Sequence, residues 1–256
     1  VQQVLSGLGE QHLESVVNKL KAKFGVEVEL IPPRVAYRET IRAKAEAEGK
    51  HKKQSGGAGQ YGVVQIRFEP LLDGTDFEFV NAVVGGTVPK EFIPAVEKGL
   101  REAIQHGVLA GYPMTGLKAT LYDGKYHPVD SKEVAFKSAA RLSYKAACAQ
   151  AKPAILEPIG NLKAYVPDTN TGDIMGEINK RRGRVLGMNP GEDGLQVVEA
   201  EVPMSELIDF TTYMRSSTQG RGSYSVEFAR YEPLPSNLEQ KVIDDAKDLR
   251  EAEEDE

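Results

Sequence analysis

From Ile159 to Tyr231 the chain runs through strand, helix, strand, strand, helix, strand, an order that few folds accept. Strand-like runs occupy Leu162–Val166, Arg184–Met188, Leu195–Val202 and Ser223–Ala229. Helical spacing covers about Thr171–Arg182 and Ser205–Gln219, with Asn170 and Ser205 placed as N-caps. Gly183 and Gly220 stand where helices favour a terminal glycine. The succession predicts a split βαβ, ferredoxin-like sandwich (βαββαβ) over residues 158–234.

The preceding stretch, residues 34–157, has a different rhythm. Val35–Ile41, Tyr61–Phe68, Phe77–Val84 and Leu117–Tyr122 read as strands. Phe92, Ile93, Val96, Leu100 and Ile104 recur at helical spacing, with Gly107 as terminator. A second helix is expected from about Ser131 to Lys152, opened by Asp130 and Glu133 as a capping box. Pro153 and Pro158 bracket an expected linker. Ahead of this domain, Leu13, Val16, Val17, Leu20 and Phe24 share one helical face. Gly25 stops that helix, and Val26–Leu30 reads as a strand. Residues 1–33 cannot close a core alone and read as the remnant of a truncated domain. Val1 is not methionine, which reads as excision from a longer chain. The chain is thus expected to be α+β and multi-domain, built of two-layer α/β sandwiches, with 235–256 an acidic helix or tail.

Charge location matters more than its sum. Nine acids and three bases between Ser236 and Glu256 account for the whole net charge of −6. Arg34 to Phe68 is locally basic, with eight Lys/Arg against three acids. No apolar run is long enough to span a bilayer, and no signal-peptide pattern opens the chain. The single Cys148 cannot form an internal disulfide, which points to a reducing compartment and a cytoplasmic location.

Within the basic region, KHKKQSGGAGQYG (Lys50–Gly62) is too polar and glycine-rich for a core, so it is expected to be an exposed loop. Lys50, His51, Lys52, Lys53, Ser55, Gln60 and Tyr61 supply cations, amides and an aromatic face, the groups that hold phosphates and stack on bases. Gly57, Gly59 and Gly62 spell GxGxxG, but a dinucleotide site needs a strand before the motif and a helix after it. Here Val63–Phe68 alternates like a strand, and no GxxxxGK[ST] loop exists. A second loop, Tyr122–Ser131, carries Lys125, Tyr126 and His127. If the two loops share one end of the domain, His127, Lys125, Gln60 and Tyr61 form a single polar tip. His127 with Asp123 and Asp130 has no nucleophile or metal set for hydrolysis, so no catalytic or metal residue is assigned. Lys180, Arg181, Arg182 and Arg184 close a helix with four cations, a candidate phosphate-facing patch that Arg215 and Arg221 extend.

The segments SGLGEQHLE, PRVAYRETI, GKHKKQSGGAGQYG, GGTVPKEFIPAVEKG, YDGKYHPVDSKEVAFK, AKPAILEPI, TGDIMGEINKRRGRVLGM and MRSSTQGRGSYSVEF resemble, in order, the elongation factor G family. The resemblance spans about residues 5–235. It implies the end of the third domain, the fourth domain as an RNA-contacting arm, and the fifth domain of a translational GTPase. It further implies tip loops at Ser55–Gly62 and Gly124–Asp130 that enter the decoding A site and contact the tRNA–mRNA duplex during translocation. The fifth domain would face the GTPase-associated region of the large subunit, which suits the Lys180–Arg184 patch. Partners would be the ribosome, with its RNA and the tRNA–mRNA duplex, for a monomeric protein without a membrane. This chain itself would bind no cofactor and catalyse nothing. GTP and magnesium would belong to the N-terminal part of the parent GTPase. The sequence departs from the family's common tip at Ala58 and Val63, where arginine and histidine are usual. A paralogue acting in ribosome recycling or protection, or a stand-alone RNA-binding protein, are the alternative readings.

Overall fold

The computed structural model describes residues 3–54 and 56–254, and the chain divides into two compact units. One comprises the residues up to Ala36 together with Glu157–Glu232; the other comprises Tyr37–Leu156 and the stretch from Pro233 onward. Neither unit is continuous in sequence.

Helix α1 (Glu10–Phe24) opens the first unit. Gly25 ends it in the left-handed conformation (φ 65°), its N–H donating to the Leu20 and Lys21 carbonyls. The strand expected at Val26–Leu30 is not formed. Val26, Val28, Leu30 and Ile31 are exposed, and alternation alone cannot make a strand without a neighbour for its backbone groups.

The second unit begins with β1 (Arg38–Ile41), β2 (Ala45–Lys53), β3 (Gln60–Pro70) and β4 (Phe77–Asn81). Helix α2 (Ile93–Ala103), β5 (Leu117–Lys125) and α3 (Glu133–Gln150) follow. A four-stranded sheet runs β2-β3-β5-β4, antiparallel except that β4 lies parallel to β5. Val64, Ile66 and Phe68 of β3 and Leu117, Ala119 and Leu121 of β5 share a core with Val96 and Leu100 of α2 and Phe136, Ala140 and Tyr144 of α3. Each large side chain fully buried there contributes about 1.5–3 kcal/mol. The capping box expected at Asp130 is absent. Lys132 is the residue before α3, without a side-chain cap, and Asp130 is turned to other work. Gly107 is not a helix terminator either; it lies against the Glu39 carboxylate, where a Cβ would collide.

The expected linker between Pro153 and Pro158 is instead part of one long strand, β6 (Pro153–Pro167). Within the second unit its first residues pair with β1, Ile41 opposite Pro153. A proline is tolerated there because it begins the strand. From Ile159 onward β6 belongs to the sheet of the first unit, pairing antiparallel with β8 (below).

That sheet follows with α4 (Thr171–Lys180), β7 (Arg184–Pro190), β8 (Leu195–Pro203), α5 (Phe210–Ser217) and β9 (Ser223–Pro233). Strand order is β9-β6-β8-β7, the split βαβ arrangement of a ferredoxin-like sandwich. Ile174 and Ile178 of α4 and Phe210 and Met214 of α5 close the core over Leu162, Ala164, Val166, Val198, Ala200 and Val202. Asn170 and Ser205 do not act as side-chain caps: the Asn170 amide donates to the Ser217 carbonyl, and α5 starts after Asp209. At the end of α4, Arg182 takes the left-handed conformation (φ 58°), and the Gly183 N–H reaches back to Ile178, 2.9 Å away. Gly183 is needed because a Cβ would press on Ile178 and Val202.

Helix α6 (Ser236–Glu254) belongs to the second unit and is not a free acidic end. Leu238, Val242, Ile243 and Ala246 pack with Leu234, Ala110 and Ile155. Among the described residues no helix is long and apolar enough to cross a membrane.

Candidate nucleic-acid interface

The lysine-rich stretch is a hairpin arm rather than a loop. Lys50, His51, Lys52 and Lys53 lie on β2, facing Val63, Gly62, Tyr61 and Gln60 of β3 in register. Only Gln54 and residues 56–59 are described between the two strands, and Ser55 lies outside the described residues. The glycine pattern has a packing cause. A Cβ at Gly59 would press on the Asp130 carboxylate at 3.0 Å, and one at Gly62 would touch the α3 backbone at 3.2 Å. No helix follows Gly62, so the dinucleotide alternative has no anion-binding helix end.

The β5–α3 connection sits directly against this hairpin. Tyr61 N–H donates to the Asp130 carbonyl (3.0 Å), and the Ser131 hydroxyl donates to the Tyr61 carbonyl (2.9 Å). The same hydroxyl accepts the His127 N–H (2.8 Å), so Ser131 fastens both loops to one another. Tyr61 and His127 meet edge to face, ring centroids 6.3 Å apart. Beside them His51 Nε2 and Gln60 Oε1 are 2.9 Å apart. Lys125 pairs with Val63 at the end of β5, and Lys125, Tyr126 and His127 are all exposed. Gln60, Tyr61, Lys125 and His127 therefore share one tip.

The orientation of His127 carries chemical information. Its Nδ1 accepts the backbone N–H groups of Val129 (3.2 Å) and Asp130 (3.1 Å), so that nitrogen bears no proton. In this neutral tautomer the proton is on Nε2, which has no partner among the described residues. With its side chain 51% exposed, His127 presents an N–H donor outward on a ring fixed from behind.

The cationic helix end differs from the expected open patch. Arg181 is 9% exposed; its Nε donates to Glu177 (2.9 Å), and its Nη1 donates to the Glu206 carbonyl (2.6 Å) and to Asp209. Its guanidinium also lies 5.2 Å from the Phe210 ring centre. Arg182 forms a two-pronged pair with Glu157, both contacts 2.9 Å, and a further bond to Glu206 (3.0 Å). Arg184 pairs with Glu201 (3.0 Å), whose carboxyl is held down at about 2 by Arg230 first and Arg184 second. Apart from Glu177, one turn back on the same helix, these arginines clasp acids that lie far away in the sequence, which is why local spacing suggested a free cluster. Lys180, Arg215 and Arg221 remain exposed, Arg215 folded over the Gly9 turn. Ser131 and the acidic partners of the arginines escaped the sequence reading. Ser131, next to the histidine loop, and Glu177, one helical turn before Arg181, are the two that left a signal there. No group of three or more His, Cys, Asp or Glu that could hold a metal occurs among the described residues.

Known proteins match most of this chain. Residues 33–152 match the profile of elongation factor G, domain IV, residues 154–242 that of the elongation factor G C-terminus, and residues 1–32 that of elongation factor G, domain III. An elongation factor G-like protein of Thermotoga maritima is 51% identical over 242 residues, covering 94% of this chain and 35% of that protein. A crystal structure of a Thermus thermophilus protein superposes with a TM-score of 0.83 at 43% identity, covering 94% of this chain and 36% of that one. The chain thus spans about a third of the length of these relatives. Three consecutive domain profiles in family order, on a backbone that fits a solved relative, establish that the chain belongs to the elongation factor G family of translation factors.

Proposed function

We propose that this chain is the ribosome-binding, RNA-facing part of a translational GTPase, and that its hairpin tip enters the decoding A site to promote tRNA–mRNA translocation. The observation that carries the reading is the fixed, outward Nε2–H of His127 beside Tyr61 and Gln60, with Lys50, Lys52 and Lys53 leading to it along β2. Cations along a strand follow a phosphate backbone, and a fixed donor with an aromatic edge reads bases or riboses at its end. The chain contributes binding and positioning. GTP hydrolysis, with its magnesium, belongs to the preceding part of the parent protein, and the cytoplasm is the place of work. Lys180 and Arg221 are exposed cations of the first unit available to meet ribosomal phosphates.

The test uses the full-length protein. His127→Ala and Gln60→Ala should each slow single-round movement of tRNA and mRNA while leaving ribosome-stimulated GTP hydrolysis nearly unchanged. The two effects should be less than additive, because both groups serve one tip. Normal movement in the double variant would sink the tip assignment. Equal loss of hydrolysis and movement would place the fault in ribosome docking.

A further inference from the structure

The flank of the second unit carries a cationic cluster that the tip does not use. Helices α2 and α3 cross so closely at Gly99 that a Cβ there would lie 2.8 Å from the Lys137 carbonyl oxygen. Past that crossing lies an open cleft of about 410 Å³, lined by Glu102, Ala103, His106, Arg141, Tyr144 and Lys145. Tyr144 is 1% exposed, and its hydroxyl is already spent on the His106 carbonyl at 3.0 Å. The rim is strongly unbalanced in charge. Lys98, Lys137, Arg141 and Lys145 surround the single carboxylate Glu102, which bonds Lys137 at 3.0 Å and is held below the ordinary carboxylate range chiefly by that bond. Neighbouring Arg101 is already neutralised by Glu97 at 2.9 Å. Arg141 and Lys145 are exposed and form no salt bridge among the described residues.

Arg141 and Lys145 stand one helical turn apart on the same face of α3, a rise of about 6 Å. That interval is of the order of the separation between neighbouring phosphates along a strand. We propose that this cleft and its cationic rim grip the phosphate backbone of RNA, giving the domain a second nucleic-acid contact on its flank, apart from the tip. RNA is favoured over an acidic protein because the cleft offers charge and a polar rim but no exposed aromatic or methionine anchor. The inference goes beyond the tip reading and fails separately from it, since it concerns backbone affinity rather than movement of tRNA.

The test measures binding of the 256-residue chain to a short mixed-sequence RNA duplex from about 50 to 200 mM salt. Arg141→Gln combined with Lys145→Gln should weaken binding several-fold at the low-salt end and reduce the log–log salt slope by about 1.5. Glu102→Gln, which removes the cleft's carboxylate, should tighten binding instead, a gain that misfolding cannot produce. A tip variant, His127→Ala with Gln60→Ala, should keep the flank's share of the slope. An unchanged slope in the Arg141/Lys145 variant would overturn the proposal. So would a loss confined to inorganic phosphate, which would mark a small-anion site, or one confined to poly-glutamate, which would mark a protein surface.

Discussion

At the scale of single residues, the exposed and the buried charges do different things, and substitutions separate them. His127 uses Nδ1 to hold its own loop and offers Nε2–H to whatever meets the tip. In the full-length protein His127→Gln, which can reproduce the outward donor, should retain more translocation than His127→Asn, which can reproduce only the inward acceptor. Single-round kinetics that rank the two in reverse would make the inward bonds, and not the donor, the working feature. Arg181 is the opposite case. Its removal leaves the largely buried Glu177 without its partner and strips a cation from the Phe210 face, so Arg181→Ala should cost about 3–5 kcal/mol of domain stability. Denaturant unfolding checks this; a stable Arg181→Ala protein with weakened RNA binding would restore the open-patch reading. Glu39 is buried and accepts N–H groups from Leu109 (2.6 Å), Ala110 (3.1 Å) and Tyr112 (2.8 Å). Burial outweighs those bonds and pushes its carboxyl above the ordinary carboxylate range. A raised folded value means that the stability linked to this group is fully present below the unfolded value and is lost as pH rises through the folded one. The advantage of the natural protein over Glu39→Gln in melting experiments should therefore shrink from mildly acidic toward neutral pH. An advantage that grows with pH would show that the three N–H groups prevail over burial.

At the scale of elements, legibility followed side-chain size. The ferredoxin-like order was readable because its strands carry large β-branched residues and its helices show clear spacing. Strand β2 was not, because AEAEGKHKK carries no apolar residue larger than alanine at its more buried positions, Ala45, Ala47, Gly49 and His51. Ala47 and Gly49 are small for a physical reason: the Ser143 hydroxyl bonds the Ala47 carbonyl at 2.7 Å, and a Cβ at Gly49 would run into the Ala139 carbonyl oxygen. Close approach of a helix erases the apolar signal that would announce the strand. The same closeness places the lysines, since it is β2 in register with β3 that aligns Lys50 and Lys52 with the tip. Gly49→Ala should thus cost about 1–3 kcal/mol by overpacking and loosen the lysine strand together with α3. Amide exchange across β2 checks the coupling; protection unchanged from the natural protein would mean that the helix can yield. The tip was legible as a composition but not as a geometry. The bonds of Ser131 and the tautomer of His127 depend on a loop placement that spacing does not encode.

At the scale of the whole molecule, the two units interleave along the chain, and this makes their stabilities separable in a testable way. The second unit is completed by α6, although Glu157–Glu232 of the other unit intervenes. Helix α6 brings Leu238, Val242, Ile243 and Ala246 onto Ala110 and Ile155, and the Leu234 N–H bonds the Ile155 carbonyl at 3.0 Å. Ala110 is itself held by Glu39, so the buried carboxylate, the 109–112 turn and the last helix form one supported patch. A helix with an acidic surface is kept in place by an apolar seam, and its charge alone gives no reason for a free end. A chain ending at Glu232 should therefore lose amide protection in β3, β5 and α3, where that patch adjoins the core, and should bind an apolar dye. Strand β8 and helices α4 and α5 should keep their protection, because their core draws only on residues of the first unit. Loss of protection in both units at once would show that they unfold as a single cooperative body.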